Sequence, residues 1–153
     1  MRRIDALLAD YGSSHRSRRN LTCHAIGMAL IVFGLLSMLQ TVRLRGPWTV
    51  SEALIGAAFL FYVWLDWPLA LAVASAAGVL DIAARVSGRW QLGAAAFAIG
   101  WILQAIGHAV YEKNSPAFFR NLVHLMVGPA FLVNEALGIR KTPPAPASVN
   151  RTS

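Results

Sequence analysis

A few residues in this sequence have types and spacings that could do chemistry. His15, Asn20 and His24 stand close together, and Gln104, His108 and Glu112 follow one another at intervals of four. His124 lies in the apolar run beyond them. Residues four apart share a helix face, so Asn20 with His24 makes one polar stripe and Gln104, His108 and Glu112 make another. Neutral imidazole is the commonest protein ligand for iron, zinc, copper and nickel. Two such stripes brought together in a helical bundle would offer several nitrogens and a carboxylate to one ion. A histidine-rich site with open positions suits redox iron, and nitrogen ligands suit zinc as well.

Each residue also has an ordinary reading. A histidine at a membrane interface usually belongs to a polar belt. Asn20 alone would be an N-cap, and Glu112 beside Lys113 a solvated helix end. Gln104 resists this treatment, because an amide among lipid needs a partner. Glu135, in "FLVNEAL", is an acid in an apolar run, a position that points to function unless a tilted helix carries it to the surface. Asp81 and Arg85, four apart, read as a local ion pair.

The elements that position these residues follow from composition. Of 153 residues, 56% are hydrophobic and 14% charged, against about 25% charged in an ordinary soluble domain. Too little polar surface remains to coat a water-facing globule, so the fold expected is all-α, a polytopic transmembrane helical bundle. The net charge of +7 is spread over short connectors and helix ends, as membrane topology demands. Nucleic-acid binding would need one basic face. The single cysteine, Cys23, excludes an internal disulfide and a zinc finger. "SRRNLTC" faintly resembles an export signal, but the apolar run after it is too long for a signal core and lacks a cleavage site, so it reads as a retained anchor.

Four apolar spans are expected, at 20–42, 50–65, 68–86 and 90–111. A fifth segment, 117–137, contains Gly128 and Pro129, which should break it into a kinked span or a re-entrant pair of half-helices. Tyr62, Trp64 and Trp67 read as interfacial belt aromatics and Pro68 as a helix start. The organisation expected is a polar cytoplasmic segment at 1–21, a membrane domain at 22–138 and a disordered Pro/Ala/Ser-rich tail at 139–153. Five arginines near the N-terminus keep that end cytoplasmic. All four histidines then fall on the cytoplasmic face at about one depth.

The literal residues say more. "WILQAIGHAVYEKNSPAFFRNLV" and the pattern H-x4-N-x3-H at His15, Asn20 and His24 resemble the membrane Fe(II)-dependent dioxygenases that degrade 2-hydroxy fatty acids, the family of the fungal step from phytosphingosine to odd-chain fatty acids. The resemblance spans roughly residues 11–138. It is specific at His15, Asn20 and His24, and again at Trp101, Gln104, Gly107, His108, Glu112, Lys113, Pro116, Ala117, Asn121, Pro129 and Glu135. Residues 43–90 match in hydropathy alone. The sequence departs from the family at His124, where a glutamine can stand, and at "GSS" before His15, where an aromatic-rich stretch is frequent.

The resemblance implies an α-oxidation in which a 2-hydroxy fatty acid and O₂ give an acid one carbon shorter. It implies Fe(II) held by His15, His24 and His108, with His124 as a fourth ligand. Glu112 and Gln104 would orient His108 through its second ring nitrogen. Arg16, Arg18, Arg19 or Lys113 would steer the substrate carboxylate. The partners implied are the hydroxy acid, O₂ and membrane lipid, in a bacterial inner membrane or an endoplasmic reticulum. The residues leave other classes open: a proton or solute transporter using Asp81, Glu135 and the histidines, a zinc hydrolase acting on lipids, or a non-catalytic scaffold. The transporter would want midplane polar groups in several spans and an inverted repeat, and the sequence has neither.

Overall fold

The computed structural model describes residues 3–13, 17–112 and 123–140, side chains at 112 and 123–125 excepted. His15 and Lys113 lie outside these residues, and Glu112 and His124 enter through their backbone alone. The helices are α1 (Arg3–Ser13), α2 (Arg18–Leu39), α3 (Val50–Leu65), α4 (Trp67–Ser87), α5 (Trp90–Ile106) and α6 (Val123–Leu137). A π-helical segment, Gly107–Glu112, continues α5.

Local chemistry sets the helix ends. Thr49 and Glu52 form a reciprocal capping box that starts α3, with the Thr49 N–H donating to Glu52 Oε2 at 2.8 Å. Asp66 caps α4 by accepting from the Leu69 N–H at 3.2 Å. Pro68 occupies the first turn, where its missing N–H costs nothing. Gly88, at φ 59°, ends α4 in the left-handed conformation that favours glycine.

Three helical stretches are long and apolar enough to cross a membrane: Arg18–Leu39, Trp67–Ser87 and Trp90–Tyr111. Their outward faces carry exposed Val79, Ile82, Val86 and Ile102, which suit lipid contact. This is therefore a helical membrane protein. The expected second span, α3, has 16 residues. At 1.5 Å per residue that is about 24 Å, short of a hydrocarbon core of about 30 Å.

Among the described residues α2 and α5 share the most extensive packing, and glycine permits it. A Cβ on Gly34 would lie 2.4 Å from the Gly93 carbonyl oxygen, and one on Gly100 would lie 2.6 Å from that of Gly27. Asn20, Gly27 and Gly34 face Gly107, Gly100 and Gly93 in turn, antiparallel. Positions seven apart keep to one stripe of a helix, so each helix presents one small-residue seam to the other. Van der Waals contact across such seams is what holds helices together in lipid.

Several expectations are corrected. Gly128 and Pro129 do not split the chain into two half-helices, because α6 runs through Pro129 as one helix. Proline removes a helix hydrogen bond, and nearby the Tyr62 hydroxyl donates to the Met126 carbonyl. Tyr62 is thus buried at 3% exposure rather than standing in an aromatic belt, while Trp64 and Trp67 remain exposed. Past α6, Arg140 pairs with Asp66, at the same α3–α4 turn that Tyr62 adjoins. Both ends of α6 are therefore tied to one end of the bundle.

The N-terminal segment, polar by composition, contains amphipathic α1. Ile4, Leu8 and Tyr11 are buried against Val127, Ala130 and Phe131 of α6. Arg140 also pairs with Asp5 of α1 at 2.8 Å. Asn134 fixes it by donating to the Arg140 carbonyl at 3.1 Å and accepting from its N–H at 2.8 Å. Residues 139 and 140, the first two of the expected tail, thus pack against the end of α6. The remainder of the tail lies outside the described residues.

Candidate active site

The N-terminal half of α2 and the C-terminal half of α5 meet in a buried polar cluster. His24 and His108 are each 3% exposed, Gln104 is 5% exposed and Asn20 is fully buried. Ser17 is the N-cap of α2, so Asn20 lies within its first turn and not at a cap. The Nε2 atoms of His24 and His108 stand 2.9 Å apart. Their rings are nearly perpendicular, 76° between planes with centroids 4.6 Å apart.

The glycine seam creates this contact. It draws the two helices close enough for a pair of imidazoles to meet edge to face. At Gly107 a Cβ would fall 2.4 Å from Asn20 Oδ1, so that position must stay bare for the amide to occupy its place. His108 follows at the start of the π-helical segment. A π-turn inserts a residue into the helical register and is frequent at functional sites. It also alters the α-helical face-sharing expected of Gln104, His108 and Glu112. The Gln104 amide oxygen meets no hydrogen-bond donor among the described residues, so it does not hold the His108 ring in this arrangement.

At 2.9 Å one imidazole donates a hydrogen and the other accepts it, so at least one Nε2 offers a lone pair. The same two atoms suit a shared metal. Two nitrogens bound at about 2.1 Å and at right angles would stand about 3 Å apart. The donor set therefore fits a nitrogen-binding ion to the extent of two ligands. Among the described residues no group of three or more metal-binding side chains gathers. His15 and the side chains of His124 and Glu112, which would enlarge the set, fall outside that description.

Sequence reasoning passed over the glycine seam that brings the pair together. Tyr11 of α1 packs on Phe131 with centroids 5.1 Å apart. Its hydroxyl lies 3.1 Å from where a Cβ on Gly128 would be, and Met28 approaches the same point. Burial pushes the Tyr11 hydroxyl pKa above its ordinary range, so it stays protonated. The seam itself was legible as glycines seven apart in two separate spans. The acids of the transporter reading lie elsewhere. Asp81 is engaged by Arg85 and Gln40 near the far end of the bundle, and Glu135 is exposed on α6.

Comparison with known proteins agrees with the residue pattern. Residues 1–139 match the family described as "2-hydroxy-palmitic acid dioxygenase Mpo1-like". The chain is 31% identical over 134 residues to the 2-hydroxy-palmitic acid dioxygenase MPO1 of Saccharomyces cerevisiae, covering 85% of this chain and 77% of that protein. No solved structure matches. With nearly its whole length matched, the chain belongs to the Mpo1-like family.

Proposed function

We propose that this protein is a membrane 2-hydroxy fatty acid dioxygenase, using Fe(II) and O₂ to convert a 2-hydroxy fatty acid into the acid one carbon shorter. One observation carries the reading in the structure. Two histidines 84 positions apart converge to 2.9 Å in a buried polar cluster, in a chain whose curated relative is named for that activity.

His24 and His108 would hold the ion, with His15 and His124 as the further ligands that the sequence offers. Bound ferrous iron would supply the redox partner for O₂ that imidazole and amide side chains lack. The chain's own groups position and enclose. The glycine seam fixes the separation of the two imidazoles. Asn20 and Gln104 put amides beside them, able to hydrogen-bond the hydroxyl or carboxylate of a substrate. Arg18 and Arg19, exposed on the first turn of α2, attract the carboxylate. The surrounding helices keep bulk water away. In the overall reaction the C1–C2 bond of the hydroxy acid breaks and C2 becomes the new carboxyl carbon. Carbon dioxide and water balance one O₂. The active face is cytoplasmic, by the positive-inside bias of the N-terminal arginines.

The test is to purify the protein without metal, load Fe(II) anaerobically, and add 2-hydroxyhexadecanoic acid and O₂. Mass spectrometry should find pentadecanoic acid with Fe(II) and none with zinc. Failure to form it under Fe(II), with the protein folded, would overturn the reading.

A further inference from the structure

A cavity of about 410 Å³ lies between α2, α3 and α4, beneath α6. That volume is in the range of small-molecule sites, about 300–1,000 Å³. It shares helix α2 with the histidine pair. His24 turns toward α5, while its neighbours Ala25, Met28 and Val32 line the cavity. The lining is apolar apart from Tyr62, whose hydroxyl is taken up by the Met126 carbonyl.

Length and ends both constrain the occupant. Along α2 the lining runs from Ala25 to Leu36, about 16 Å at 1.5 Å per residue. One acyl chain spans half of a hydrocarbon core, about 15 Å. The near end, at Ala25 and Met28, adjoins His24 in sequence and by one helical turn. The far end is formed by Leu54, Ile55 and Leu80. Just beyond it stand Glu52, Asp81 and Arg85, joined in ion pairs. An alkyl tail that reached further would bury itself among charges, which is unfavourable.

We infer that this cavity holds the acyl chain of the hydroxy acid, carboxyl end toward His24 and methyl end against Leu54, Ile55 and Leu80, and that this far end limits chain length. The inference rests on the function proposed above. It assigns Ala77, which lines the cavity on α4, as a specificity-determining position, because only a small side chain leaves the lower cavity open.

Two measurements test it on the full-length protein in detergent. The first uses 2-hydroxyhexadecanoic acid with a terminal diazirine, which is irradiated and its adducts mapped by peptide mass spectrometry. Labels on Leu54, Ile55 or Leu80 support the inference. Labels on the outward residues Val79 and Ile82, or on α5, overturn it. The second compares kcat/KM across 2-hydroxy acids from eight to eighteen carbons for Ala77→Phe. The ratio of long-chain to short-chain activity should fall at least tenfold, while Ala83→Phe, on the exposed side of α4, keeps the wild-type profile. An unchanged ratio in Ala77→Phe would sink the inference. If the wild-type protein converts no 2-hydroxy acid, the proposed function fails, and the labelling experiment still decides the cavity.

Discussion

The bundle buries polar groups at both of its ends, and it treats them in opposite ways. At the α3 N-terminus and α4 C-terminus, Glu52 and Asp81 both reach Arg85, and Gln40 donates to Asp81 Oδ1 at 2.8 Å. Opposite charges meet, and the Asp81 carboxylate is matched by Arg85 and Gln40. At the other end, His24, His108, Asn20 and Gln104 bring neutral nitrogens and amides together with no opposing carboxylate in contact among the described side chains. Charge neutralisation closes the first cluster to further chemistry. The second gathers neutral nitrogens and amides, groups whose lone pairs and N–H bonds a ligand can recognise. Burial alone does not mark a functional site. What marks it is burial of groups whose natural complement is a ligand.

That contrast can be broken by mutation. His108→Ala should have the largest effect. If His108 holds iron as proposed, its loss should exceed the about hundredfold drop that removing a supporting partner causes. Iron content should fall with activity, while the circular dichroism spectrum stays helical. Full activity in this variant would reduce the histidine pair to ordinary packing.

Gly100→Leu attacks the seam that brings the pair together. Its Cβ would start 2.6 Å from the Gly27 carbonyl oxygen. Overpacking of this kind costs about 1–3 kcal/mol, readable as a lower melting temperature in detergent together with loss of iron. A variant that kept its iron would show that the helices can separate without opening the site.

Arg140→Met sharpens the role of the cap formed by α1 and α6. It removes the Arg140 guanidinium from Asp66, whose side chain is 2% exposed, at a cost of about 1–3 kcal/mol. Hydrogen exchange should rise in α1 and α6 before it rises in α2 or α5. A uniform increase would mean that the cap is part of the same cooperative unit as the bundle.

The smallest effect is expected at the far end. Arg85 is half exposed, so Arg85→Gln should lower stability by less than about 1 kcal/mol and leave iron content unchanged. Loss of iron here would couple the two ends and remove the contrast between them.

The sequence alone determined the class, the long spans and the identity of the chemical groups. Hydropathy fixes which segments enter lipid, because a chain with so few charges cannot coat itself for water. The histidines and amides stand out because such groups are costly among apolar residues. Spacing could not reveal which of them meet. His24 and His108 are joined by a seam between distant helices, and the π-turn at Gly107 shifts the register that i+4 counting assumes. Composition likewise reads Pro129 as a breaker and the N-terminal segment as polar. Tertiary contacts overrode both: Tyr62 ties α6 to α3 near the proline, and the apolar face of α1 finds α6 as a surface to bury against. Local rules govern what each segment can be on its own, and only packing between segments distant in sequence decides which polar groups share a pocket.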